Sequence, residues 1–136
     1  MSAQNNELAP NIALIYIGTM ATSANAVVPG LYFRKHSRIK KVHFIDSIGI
    51  VKNNSNRLSV TLQDNAGSPV SYAAVNTSDN AAVAVTPLEL VLSTPVGDPN
   101  QYEVDVPAGT TLNVKVLGVG TAIPTLAQVQ VEWYPL

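Results

Sequence analysis

The side chains able to support catalysis or metal binding are few and scattered. The chain has two histidines, His36 and His43, and no cysteine. His43 and Asp46 stand three apart in a stretch read below as a strand, where residues at odd separation face opposite ways. A zinc site needs three or four converging ligands, and these two do not converge. Ser47 beside His43 and Asp46 is the one local grouping of hydroxyl, imidazole and carboxylate. A nucleophile needs its base within hydrogen-bond reach, and strand parity separates Ser47 from Asp46. Glu103 and Asp105 share a face and would suit a calcium ion, but carboxylates alternating with valines are also the solvated side of an amphipathic strand. Gly118-Val119-Gly120-Thr121 opens like a phosphate loop, yet Pro124 follows where a helix should start. The residues therefore predict no catalytic group, no metal site and no cofactor, and a protein that is not an enzyme.

Charge is the more informative property. Arg34, Lys35, Arg38, Lys40 and Lys41 are five of the eight basic residues, packed into eight positions. Elsewhere charge is sparse: 12% of residues are charged, against about 25% in ordinary soluble domains. Net charge is −1, so the chain as a whole does not have the electrostatics of a nucleic-acid binder. A surface rich in Asn, Thr, Ser and Gln with so little charge suits a protein largely covered by copies of itself or by a partner. Close like charges repel by about 1 kcal/mol per pair in water, so the cluster calls for a reason. It reads as a contact surface toward an acidic protein partner. The other readings are a solvated strand edge guarded by lysines and a nucleic-acid contact, the least favoured of the three.

Residues 101–117, Q-Y-E-V-D-V-P-A-G-T-T-L-N-V-K-V-L, carry the clearest structural pattern. Tyr102, Val104 and Val106 alternate with Gln101, Glu103 and Asp105. Leu112, Val114 and Val116 alternate with Thr111, Asn113 and Lys115. Period two on both sides of a Pro-Ala-Gly-Thr turn predicts two half-buried antiparallel strands. Direct pairing with both apolar rows on one face sets Val106 opposite Leu112, Val104 opposite Val114 and Tyr102 opposite Val116. It also sets Glu103 opposite Lys115.

The rest of the chain reads as strands that complete a sandwich around this module. Residues 1–11 are polar and form a flexible arm expected to contact a neighbouring subunit; residues 12–136 form a single β-sandwich domain. Residues 11–17 are a strand with apolar side chains on both faces, hence central in a sheet or covered by a neighbour. Residues 18–30 read as a loop with a Pro29-Gly30 turn. Within residues 31–51, Val42, Phe44, Ile48 and Ile50 share a face with Asp46, while Ile39 and Ile45 have the opposite parity. That mismatch predicts a bend or bulge near residues 46–49. Further strands are predicted at 57–63, 70–75, 81–85, 88–93 and 126–134. The expected core contains Val104, Val106, Leu112, Val114, Val129, Val131 and Trp133. Eight to ten short strands without a helical period predict an all-β, jelly-roll-like antiparallel sandwich. A chain of 136 residues buries roughly 70% of its unfolded surface and needs no disulfide. Neither a secretory leader nor a membrane span is predicted.

The polar arm, the run of short strands, V-P-A-G-T-T-L-N-V-K-V at 106–116 and V-Q-V-E-W-Y-P-L at 129–136 resemble the small jelly-roll cement, or decoration, proteins of tailed bacteriophage capsids. The resemblance covers residues 12–136 as a pattern. It implies a non-enzymatic virion protein, assembled in the host cytoplasm, that sits on the head as homotrimers and clamps neighbouring copies of the major capsid protein. Arg34, Lys35, Arg38, Lys40 and Lys41 would then face the capsid. It also implies strands that cross between sheets, the alternative to direct pairing within 101–117. A second reading is a carbohydrate- or receptor-binding β-sandwich of a phage fibre or spike. Such sites present aromatic platforms, for which Tyr32, Tyr72 and Tyr134 look free. A third reading is a non-catalytic subunit of a cellular assembly.

Overall fold

The computed structural model describes residues 10–93 and 103–136. Among them are ten strands: β1 (Asn11–Gly18), β2 (Asn25–Phe33), β3 (Ser37–Ile45), β4 (Arg57–Asp64), β5 (Ser71–Asn76), β6 (Leu88–Glu89), β7 (Val91–Leu92), β8 (Val104–Val106), β9 (Thr110–Val119) and β10 (Ala127–Pro135). Most of the expected arm, and Tyr102 with its expected pairing to Val116, lie outside what the described residues show. The first strand takes in Asn11, the last residue assigned to the arm.

The pairing is nested. β1 pairs with β10, β2 with β9, β3 with β8 and β4 with β5, all antiparallel. This is one long antiparallel hairpin rolled up, so that successive strands, β4 and β5 excepted, fall in alternate sheets. One sheet runs β1-β10-β3, with β6 and β8 both on the far side of β3; the other runs β2-β9-β4-β5-β7. The predicted jelly-roll-like β-sandwich is the architecture observed.

The rolling overturns the direct hairpin within 101–117. Val106 pairs with Ser37 and Val104 with Ile39 on β3, whereas Leu112 and Val114 pair with β2 and β4 in the other sheet. The turn at Pro107–Gly109 is an arch between sheets. The two apolar rows still meet, because they face each other across the core, and Val104, Val106, Leu112, Val114 and Val116 are all buried. The expected Glu103–Lys115 pair does not form. Lys115 instead donates to Asn25 Oδ1, and Glu103 accepts from the Tyr134 hydroxyl.

Other expectations change for local reasons. Residues 25–33 form β2, although a loop was predicted as far as residue 30. Pro29 and Gly30 sit at a register shift in an edge strand, one of the few places a sheet tolerates proline. Residues 81–85 are not a strand; only Ala82 bridges to Ile50. Residues 88–93 split into β6 and β7, which join different sheets on either side of the buried Leu90.

β1 is not central: among the described residues it is an edge strand paired with β10 alone. Along β3 a bend does follow Asp46, at Ser47 and Ile48. A second irregularity was not predicted. Lys41 pairs with Glu132 and Ile39 with Trp133, so Lys40 is an inserted residue. This bulge turns Ile39 to the same inner side as Val42 and Phe44, all fully buried, and resolves the parity conflict for Ile39; Ile45 keeps the opposite parity and is only half-buried.

Candidate functional site: the basic end of the sandwich

The site forms where β2 hands the chain to β3. Arg34, Lys35 and His36 make this connection and are exposed. The same end holds the β8–β9 arch, whose Gly109 N–H donates to the Phe33 carbonyl at 2.7 Å. It also holds the C-terminus, where the Leu136 N–H donates to the His36 carbonyl at 2.9 Å. Three separated parts of the chain are thus tied together by backbone hydrogen bonds, which gives the cationic connection a firm base.

The five cations do not share one environment. Arg38 is half-buried, and its Nε donates to Asp105 Oδ1 at 2.7 Å. Strand register brings them together: Arg38 on β3 lies between Asp105 on β8 and Tyr134 on β10. The Asp105 carboxylate raises the Arg38 pKa, against a smaller opposing effect of burial. His36 Nε2 lies 3.7 Å from the other Asp105 oxygen. Burial raises the Tyr134 pKa, the hydrogen bond to Glu103 adds to this, and Arg38 opposes it. Arg38 is thus spent on an internal partner. Arg34, Lys35, Lys40 and Lys41 are exposed, and among the described residues none forms an ion pair. The bulge helps to gather them, because it puts Lys41 on the same outer face as Arg38 and leaves Lys40 exposed beside it.

Beside Arg34 and Lys35 the two sheets part to leave a recess of ≈ 510 Å³, lined also by Tyr32, Phe33, Ser37, Trp133 and Pro135. Trp133, expected in the core, is half-buried here. Its ring meets Phe33 edge-on, with centroids 5.1 Å apart at 83°. It closes the end of the core and forms part of the recess wall. Tyr32 is 62% exposed, whereas Tyr72 is buried and Tyr134 is held by Glu103. Of the three tyrosines that looked free, only Tyr32 is. Cations beside aromatic faces suit a carboxylate or phosphate group attached to an apolar body.

The remaining chemistry-bearing residues have structural partners. Asp46 is buried, and its carboxylate accepts backbone N–H bonds from Ile48 at 3.1 Å and from Gly49 and Thr125 at 2.7 Å each. Ser47 Oγ donates to the Thr125 carbonyl at 2.7 Å. His43 lies on the outer sheet face, in register with Gln130 and Glu89. Among the described residues no three His, Asp or Glu side chains group as metal ligands, and no helix is long and apolar enough to cross a membrane.

The sequence reading missed the neutralisation of Arg38 and the aromatic recess. Glu103 and Asp105, two acids on one outer face, were a signal for the first; their partner strand was not. No protein-family model matches the chain, and no curated protein matches it.

Proposed function

We propose that this chain is a non-enzymatic structural protein that binds an acidic protein surface through its basic end, as a capsid cement protein binds a phage head. The observation that carries this reading is the concentration of exposed cations, Arg34 and Lys35 at one end of the sandwich and Lys40 and Lys41 further along β3, in a chain otherwise poor in charge. Jelly rolls occur in viral capsid domains, a fold-level analogy that adds weight without deciding function. In this reading the partner is the major capsid protein, the protein resides in the virion, and copies assemble on the shell as homotrimers.

The test is charge reversal at residues with no internal partner. Arg34→Glu, Lys35→Glu and Lys40→Glu together are expected to leave the unfolding midpoint near that of the wild type and to abolish binding to assembled heads. Wild-type binding is expected to weaken as salt rises, because the Debye length falls from about 10 Å at 0.1 M to 3 Å at 1 M. Binding indifferent to both would remove the cluster from the interface. Reversal of Arg38 is unsuitable, because it would set a carboxylate against Asp105.

The recess supports a second reading, a site for an acidic carbohydrate. Tyr32 and Trp133 offer aromatic surface beside Arg34 and Lys35. Tyr32→Ala is expected to abolish retention on acidic glycans under this reading and to leave head binding unchanged under the first.

A further inference from the structure

We propose that β1 is a self-association edge, through which two copies of this chain join into one continuous sheet about a two-fold axis. The inference is independent of the function proposed above.

The starting point is how each open strand edge is protected. An unpaired edge offers N–H and C=O groups to any passing strand, and proteins blunt such edges with short strands, proline, bulges or charge. Among the described residues β6 and β7 have two residues each and β8 has three. β2 is long, but carries Pro29 and a register shift at its middle. The backbone there presses on β9 so closely that a Cβ on Gly30 would lie 2.2 Å from the Leu112 carbonyl oxygen. β1 has none of these protections through Ile17. Residues 11–17 read N-I-A-L-I-Y-I, without charge or proline, and they pair with β10 without interruption as far as Tyr16.

The side chains point the same way. Ile15 and Ile17 are buried inside the sandwich, whereas Ile12, Leu14 and Tyr16 on the outer face are 62%, 59% and 65% exposed. A strand apolar on both faces belongs in the middle of a sheet or under a neighbour. Among the described residues β1 occupies an edge, so its open side is available to a second chain.

The second chain that fits is another copy. Antiparallel pairing about a two-fold axis at Leu14 uses all of residues 11–17 and keeps outer side chains on the outer face. It sets Leu14 against its own symmetry mate and Ile12 against Tyr16 of the other copy. A one-residue slip would turn every side chain to the wrong face. Extending the rows already present gives His43-Gln130-Leu14 meeting the same row reversed, and Lys41-Glu132-Ile12 meeting Tyr16-Gln128-Ile45. No charge meets a like charge across the new seam. The contact closes at two copies, so it is separate from any three-fold contact.

Light scattering on the purified full-length chain, with single substitutions, tests this. The wild type is expected to be an even-numbered assembly. Leu14→Lys, which sets two lysines opposite each other, is expected to halve its mass while far-UV circular dichroism stays unchanged. Val27→Lys, at an exposed position on the other sheet, is expected to keep the wild-type mass. Because the chain has no cysteine, register can be read directly. Leu14→Cys is expected to cross-link to itself, and Ile12→Cys to cross-link only when mixed with Tyr16→Cys. A wild-type monomer, or a Leu14→Lys variant of wild-type mass, would overturn the proposal. So would a monomer that dimerises only after residues 1–9 are deleted, which would assign the edge to the chain's own N-terminal segment.

Discussion

Two carboxylates near opposite ends of β3 show how the two ends of this sandwich differ. Asp105 lies opposite Arg38 near the start of β3, with its side chain 41% exposed, and pairs with a cation. Asp46 follows the last residue of β3, is 1% exposed, and accepts only backbone N–H groups. The backbone carbonyl of Asp46 also accepts from the Val85 N–H at 2.8 Å. One residue thus ties together the loops around residues 46–49, 85 and 125. The basic end keeps its charge at the surface, where a partner can reach it. The other end turns Asp46 inward, and many of its tips are apolar: Ile48, Val51, Val83, Val85 and Leu126 are each more than 60% exposed. The same functional group is a surface feature at one end and a loop clamp at the other, and burial makes the difference.

That contrast sets the order of the expected effects. Asp46→Ala removes the acceptor for three backbone donors and is expected to cost on the order of 3 kcal/mol, since each buried orphaned donor costs about 1–3 kcal/mol. Chemical denaturation would measure it, and a loss below that of Asp105→Ala would break the comparison. The next effect is a gain. Val85 has φ 55° and Leu126 φ 42°, a left-handed conformation that branched and bulky side chains rarely adopt. Val85→Gly is expected to raise stability by about 1 kcal/mol through relief of backbone strain. An unchanged midpoint would show that the strain is not stored there.

Arg38→Ala should cost less than about 1 kcal/mol, the usual worth of a partly exposed pair. A larger loss would mean that the basic end is held by its ion pair as firmly as the other end is by Asp46. The smallest effect is alkaline. Burial, with help from Glu103, raises the folded-state pKa of Tyr134 above the ordinary tyrosine value of 10.0. The fold therefore favours the protonated phenol. The stabilisation is complete below pH 10, the unfolded value, and is lost as pH rises through the higher folded value. Tyr134→Phe is expected to flatten the fall in stability above pH 10, and an identical alkaline profile would show that Tyr134 contributes nothing to it.

Several of these features could be read from residue order alone. Period-two alternation places Leu58, Val60 and Leu62, Leu112, Val114 and Val116, and Val129 and Val131 inside, and all eight are buried. Parity likewise put Asp46 on the inner side with Val42 and Phe44, where it is found. β2 was missed because Pro29-Gly30 is a turn signal in most settings and here marks a bulge. The bulge at Lys40 was missed because an inserted residue shows only against the partner strand, β10, some ninety positions away in the sequence.

What the sequence determined by itself is the inward and outward side chains of the regularly alternating strands β4 and β9, the sandwich class and the place where charge is concentrated. These follow from local alternation and composition, which need no knowledge of neighbours. Only the tertiary structure decided which strands are neighbours. Val104 and Val106 alternate equally well whether they pair with β9 or β3, because alternation specifies a face and not a partner. From that choice came the Arg38–Asp105 pair, the recess under Trp133 and the open edge of β1. Each depends on strands brought together by the rolling of the chain, a long-range outcome of burying all the apolar rows at once.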